Sequence, residues 1–137
     1  MLSHLEKNRT ISLIITIIIA VAIYLFSTMQ SAPIDTSSTF NPTYVYHFAI
    51  FFIFGLFLLI TIKGEKETET KHIIIVLIIA ILYAALDEIH QSFTPGRSVS
   101  VIDLLVDTAG IALAVMFYDK LKKMKVLRKI GLRKKNQ

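Results

Sequence analysis

Cysteine is absent from the 137 residues. That excludes a disulfide framework, a thiolate metal site and a cysteine nucleophile, though it fixes no compartment. Charge is absent over long stretches: none lies between Arg9 and Asp35, and none between Asp35 and Lys63. Runs of that length without charge are candidates to span a membrane. The chain has no G-x-S-x-G elbow, so a serine nucleophile at Ser92 or Ser98 lacks its usual setting. It has no H-E-x-x-H or comparable spacing for a metal, and no glycine-rich loop to cradle phosphate. No internal repeat is visible beyond a pair of helical hairpins.

What is present is apolar and clustered. Hydrophobic residues make up 54% of the chain, too many for an ordinary soluble domain of this size. The length leaves room for one domain. The net charge of +5 is a local property: residues 119–137 hold nine Lys/Arg and one Asp, so the other 118 residues carry −3. Basic segments beside membrane spans meet anionic lipid more often than nucleic acid, so lipid is the expected partner and nucleic acid is not.

Four spans follow from the pattern. Thr10–Phe26 is too long for a signal-peptide core, and the residues after it form a poor cleavage site, so it reads as an uncleaved first span. Ser27–Pro42, rich in Ser, Thr and Pro, reads as a loop. Thr43–Ile62 is the second span, with Tyr44 and Tyr46 at its interfacial start and Gly55 available for close helix approach. Lys63–Lys71 is a mixed-charge loop. The third apolar run, His72–Leu86, would cover about 22 Å at ~1.5 Å per residue, short of a ~30 Å hydrocarbon core. Its helix must continue through Asp87–Gln91, towards Phe93. Thr94-Pro95-Gly96-Arg97 suits a type II turn, and Ser100-x-x-Asp103 resembles a capping box opening the fourth span, Val101–Tyr118. The fold class is therefore all-α: a four-span membrane domain over residues 10–118, two helical hairpins, followed by a basic tail. In that tail Leu121, Met124, Leu127 and Ile130 recur every three residues among Lys and Arg, the pattern of a helix lying on the membrane surface.

Lysine and arginine set the orientation. The N-terminus, the 63–71 loop and the tail carry 14 of the 15 basic residues. By the positive-inside rule both termini are cytoplasmic, and the 27–42 and 94–100 connections face outward. The polar residues inside or beside the spans, His47, Asp87, Glu88, Gln91, Asp103 and Asp107, then fall at one depth near the outer face, with Arg97 as the nearest countercharge. Asp87 and Gln91 share a helix face, as do Asp103, Asp107 and Gly110. His90, offset from Asp87 and Gln91, should face solvent. Intramembrane polar groups often pin helices together, and Asp103 alone would serve as a cap. Two adjacent carboxylates at membrane depth are a costly way to make such a contact. Asp87 and Glu88 are therefore the acid–base candidates, since burial raises a carboxylate's pKa. His47, Gln91, Arg97, Asp103 and Asp107 are the ligand-binding candidates, with Arg97 suited to gripping a phosphate or carboxylate. A metal held by His47, Asp87, Glu88 and Asp107 is the lesser reading. No metal and no cofactor are assigned. A lipid-linked or cell-wall substrate at the outer leaflet would suit these groups.

The stretch from Asp87 to Ala114, DEIHQSFTPGRSVSVIDLLVDTAGIALA, resembles the VanZ-like family of bacterial membrane proteins. The family pattern has Asp-Glu-x-x-Gln, a Pro-Gly-Arg turn, a following Asp and an Asn-x-x-Gly. Here these are Asp87, Glu88, Gln91, Pro95, Gly96, Arg97, Asp103 and Gly110, with His47 and the Ser27–Gln30 cluster matching earlier positions. Asp107 stands where the pattern has Asn, which adds a negative charge and questions any role needing an amide. The resemblance implies a bacterial cell-envelope location and low-level resistance to the glycopeptide antibiotic teicoplanin; taken with the polar groups, a lipid-linked cell-wall precursor or the lipoglycopeptide itself is the expected partner. It implies no settled reaction. A binding module without turnover and a small transporter subunit remain the alternatives.

Overall fold

A computed structural model describes residues 2–28, 42–95, 97 and 99–135, with 2, 42 and 129–135 as backbone alone. Most of the expected 27–42 loop, the glycine of the Pro-Gly-Arg turn, Ser98 and the side chain of Ile130 lie outside the described residues. Every regular element among those described is α-helical: α1 Leu2–Lys7, α2 Arg9–Ser27, α3 Pro42–Lys63, α4 Thr70–Gln91 and α5 Val101–Lys135. Helices α2 to α5 are each long and apolar enough to cross a membrane. Their large side chains point outward as often as inward: Ile14, Ile18, Ile78, Leu82, Leu105 and Met116 are exposed. In a bilayer such surfaces face lipid, so burial between helices must come from packing detail rather than from hydrophobicity.

That detail is found where small residues fall. Gly55 of α3 would bring an added Cβ to 3.2 Å from the Ile111 Cα of α5, and Gly110 of α5 would bring one to 2.6 Å from the Phe48 carbonyl oxygen. The two helices therefore run in parallel with their backbones nearly touching, and Phe51, Phe54, Leu59, Ile111 and Tyr118 close the core around them. The tightest pairing thus joins one helix from each expected hairpin. Helix α4 presents Val76, Ala80 and Ala84 to this core at four-residue spacing, and Asp87, Glu88 and Gln91 continue the same buried stripe. Tyr83 Oη donates to Ala20 O at 2.6 Å and ties α4 to α2. A Thr16–Thr61 hydroxyl pair at 3.0 Å ties α2 to α3.

α4 reaches Gln91, as the length argument required, and begins two residues earlier than His72, where the His72 Nδ1 accepts the Glu69 N–H at 3.1 Å. Two features depart from expectation. Residues 2–7, to which the sequence pattern assigns no element, form a short helix in which Leu5 is buried and Glu6 reaches Tyr118 and Lys122 of α5. The basic tail is not a separate element: α5 continues without a break past Tyr118 to Lys135. Met124 and Leu127 of its apolar stripe are exposed.

The basic end of the bundle is a knot of its own. Arg9 Nε donates to Thr61 O at 3.1 Å, answering a carbonyl left open in the last turn of α3. Lys63 is buried and donates to Gly64 O and Lys66 O at 2.9 and 2.8 Å. Gly64 ends α3 with φ +58°, a conformation open to glycine and strained for other residues.

Candidate functional site

At the opposite end of the bundle, buried polar side chains arrive from all four long helices: Ser27 from α2, His47 from α3, Asp87, Glu88 and Gln91 from α4, and Asp107 from α5. They form two neighbouring groups. In the first, Ser27 Oγ donates to Asp87 Oδ1 in a short contact. Gln91 Nε2 donates to Asp87 Oδ2 at 2.8 Å and lies 3.4 Å from Ser27 Oγ. Thr94 Oγ1 lies 3.4 Å from the Ser27 carbonyl at the end of α2. Both Asp87 oxygens are thus held from inside the protein, by α2 and by its own helix. A cavity of about 160 Å³ opens beside this group between α2 and α4, lined by Tyr24, Tyr83, Leu86, Asp87 and His90.

In the second group His47 Nδ1 lies 3.0 Å from Asp107 Oδ1. Both residues are almost wholly enclosed, His47 at 2% exposure and Asp107 at 0%. With Asp107 ionised the carboxylate can only accept, so the imidazole carries its proton on Nδ1. Glu88 closes the group from α4. Its Oε2 accepts the Ser100 N–H at 2.7 Å, while its Oε1, like Asp107 Oδ2, is buried without a hydrogen-bond partner among the described residues. The edge of the Tyr46 ring lies against His47, centroids 5.8 Å apart.

Asp87 and Glu88 are neighbours in sequence but do not form a pair. Successive helix positions are rotated by about 100°, so Asp87 meets α2 while Glu88 meets α3, α5 and the 92–100 connection. Ser27 and Ser100 are the contacts that reading from spacing did not assign. Ser27 had a signal only as the start of the small polar cluster after the first span. Ser100 was marked as a cap, and half of that cap is present: its Oγ accepts the Asp103 N–H at 3.1 Å. The reciprocal half is taken over by Glu88, which receives the Ser100 N–H in place of Asp103. Asp103 is left half-buried, its Oδ1 without a partner among the described residues. His90 does not face solvent. It is half-buried and lies against the Tyr24 ring, centroids 4.5 Å apart. Arg97 is half-buried on the 92–100 connection at this same end, with its N–H on Thr94 O at 3.1 Å and its charge felt at Tyr46.

Gly110 explains how α3 and α5 come close enough for the second group. It stands three residues after Asp107, on the same face of α5. Its missing Cβ lets the α3 backbone at Phe48 come in, and the next residue back, His47, meets Asp107.

Four apolar helices closing on carboxylates, an imidazole and an amide at one end define a multi-pass helical membrane protein with a buried polar site. The chain belongs to the VanZ/LLP1 family, whose model matches residues 3–123. No curated protein and no solved structure matches it.

Proposed function

We propose that this VanZ/LLP1-family chain acts at the outer leaflet of a bacterial cell membrane, on or beside a lipid-linked cell-wall component, and contributes low-level tolerance of teicoplanin. The observation that carries this reading is the convergence of Ser27, His47, Asp87, Glu88, Gln91 and Asp107, from four helices, at one end of the bundle. Groups of this polarity at membrane depth are costly to bury and mark sites of function more often than of simple packing. The outward placement rests on 14 of 15 basic residues lying toward the other end. The cavity between α2 and α4 supports an amphiphilic ligand, since it sets two tyrosines and a carboxylate beside a lipid-facing surface. Arg97 on the adjoining connection supplies a charge suited to phosphate.

In the catalytic form of this reading Glu88 is the proton-handling group, because Oε1 is open whereas both Asp87 oxygens are engaged. Asp87, Ser27 and Gln91 then position α4. The second reading is a binding module without turnover, which the fully bonded Asp87 group favours. The test uses a host lacking its own copy, carrying wild type, Glu88→Gln or Arg97→Lys at matched membrane levels. Teicoplanin susceptibility and binding of a lipid-linked precursor in nanodiscs are measured together. Loss of tolerance with retained binding in Glu88→Gln supports catalysis. Parallel loss of both in Arg97→Lys supports recognition by the guanidinium fork. Wild type indistinguishable from empty vector in both assays overturns the proposal.

A further inference from the structure

We propose that His47, Glu88 and Asp107 hold one divalent transition-metal cation. Each residue offers one ligand atom, and the three atoms lie within 4.8 Å of one another. Ions such as Zn²⁺ sit about 2.0–2.2 Å from imidazole and carboxylate ligands, which at the tetrahedral angle places those ligands roughly 3.3–3.6 Å apart. Relative movements of roughly an ångström between side chains on three helices therefore close the set.

Charge argues the same way. Two carboxylates face one imidazole, all three residues at 2% exposure or less. An imidazolium offsets one negative charge; a dication offsets both. The hydrogen bonds present leave a gap that matches: Glu88 Oε1 and Asp107 Oδ2 are buried and have no partner among the described residues. A buried oxygen without a donor is expensive, and a cation supplies what a second donor would. Glu88 is already aimed, its other oxygen fixed by the Ser100 N–H at 2.7 Å, the kind of outer contact that orients metal ligands. Asp103, whose Oδ1 is also buried without a partner, adds negative potential at His47 and Glu88.

One nitrogen and two oxygens suit Zn²⁺ or Mn²⁺. Three protein ligands leave at least one position open, where the ion could polarise a phosphate or activate water. The inference does not depend on the proposed function, because metal content is measured without any resistance assay.

The experiment uses the full chain in nanodiscs, purified through a tag free of histidine. Bound metal is measured by elemental analysis, and Zn²⁺ and Mn²⁺ affinities by calorimetry. The expected result is about one equivalent of Zn²⁺ or Mn²⁺ per chain, with a Tm that rises on metal addition. Changing an outer contact of a metal ligand costs about 10–100-fold in affinity, so Glu88→Gln combined with Asp107→Asn should lose at least that much. The exposed-site control His4→Ala should bind as wild type. Wild type with no stoichiometric metal and no thermal shift overturns the proposal, whatever the variants do. So does undiminished affinity in the double variant, or equal competition by Mg²⁺, which would mark a plain acidic surface. If the double variant fails to insert, the wild-type stoichiometry and thermal shift decide alone.

Discussion

Gly110 stands against Phe48 so closely that a single methyl group would lie 2.6 Å from the Phe48 carbonyl oxygen. The obstructing atom is backbone, which cannot swing aside as a side chain can. Gly110→Ala must therefore push α5 away from α3. Overpacking of this kind costs about 1–3 kcal/mol. The expected outcome is a lower Tm in detergent. A cross-link between cysteines placed at Ala49 and Leu113, which line one apolar groove between α3 and α5, should also form more slowly. An unchanged Tm and cross-linking rate would show that the two backbones are not in contact.

The Ser27–Asp87–Gln91 group predicts a contrast between two substitutions at one position. Asp87→Asn keeps the shape, and the Ser27 hydroxyl and Gln91 amide can each reverse roles to suit an amide. Asp87→Ala leaves both without their partner, at about 1–3 kcal/mol for buried groups. Thermal stability should fall clearly for alanine and little for asparagine. Equal and large losses would mean that the charge of Asp87, rather than its hydrogen bonding, holds α2 to α4.

Glu6 predicts a pH dependence at the other end of the bundle. Burial pushes its carboxyl pKa up, but hydrogen bonds from Lys122 and Tyr118 and the nearby charge of Lys63 outweigh that and hold it below the ordinary value of 4.5. A group depressed in the folded state stabilises it fully above the unfolded pKa, and that contribution is lost as pH falls through the folded value. The Tm of wild type should therefore exceed that of Glu6→Gln at pH 6–7. The difference should close as the pH falls below about 4.5, the ordinary glutamate range. A difference independent of pH would assign the contact to shape rather than charge. The Glu6–Lys122 contact at 2.6 Å is partly exposed on the lysine side, so added salt should narrow the gap as well.

Topology is the prediction on which the leaflet assignment rests. Reporter fusions after Ile62 and after Tyr118 should read cytoplasmic, and one near Thr39 external, because basic residues cluster at one end. The reverse pattern would put the buried polar group at the inner leaflet and remove the argument for an extracellular ligand.

How far the sequence reaches differs from element to element. The third span shows it well. Its apolar run stops at Leu86, yet the thickness of a bilayer demanded a helix through Asp87–Gln91, and α4 ends at Gln91. Helix α1 shows the opposite. Six residues carry too little pattern to announce a helix, and α1 exists because Leu5 and Glu6 find partners on elements far along the chain. The cap at Ser100 falls between: its own half is local and was legible, whereas the half taken over by Glu88 needed a residue twelve positions earlier.

Length, charge and hydropathy by themselves determined that this is a four-span helical protein, and put His47, Asp87, Glu88, Gln91, Asp103 and Asp107 at a common depth. They act along the chain axis, and a helix converts position along the chain into depth at a fixed rise per residue. They carry no information about rotation between helices, which small residues and interhelical contacts decide. Only the tertiary structure therefore separated Asp87 from Glu88, turned one to Ser27 of α2 and the other to His47 and Asp107, and brought one nitrogen and two carboxylates from three helices within 4.8 Å of one another. Common depth alone offered His47, Asp87, Glu88 and Asp107 as one metal set; the structure removes Asp87 from it and brings the other three together where Gly110 lets α3 and α5 touch.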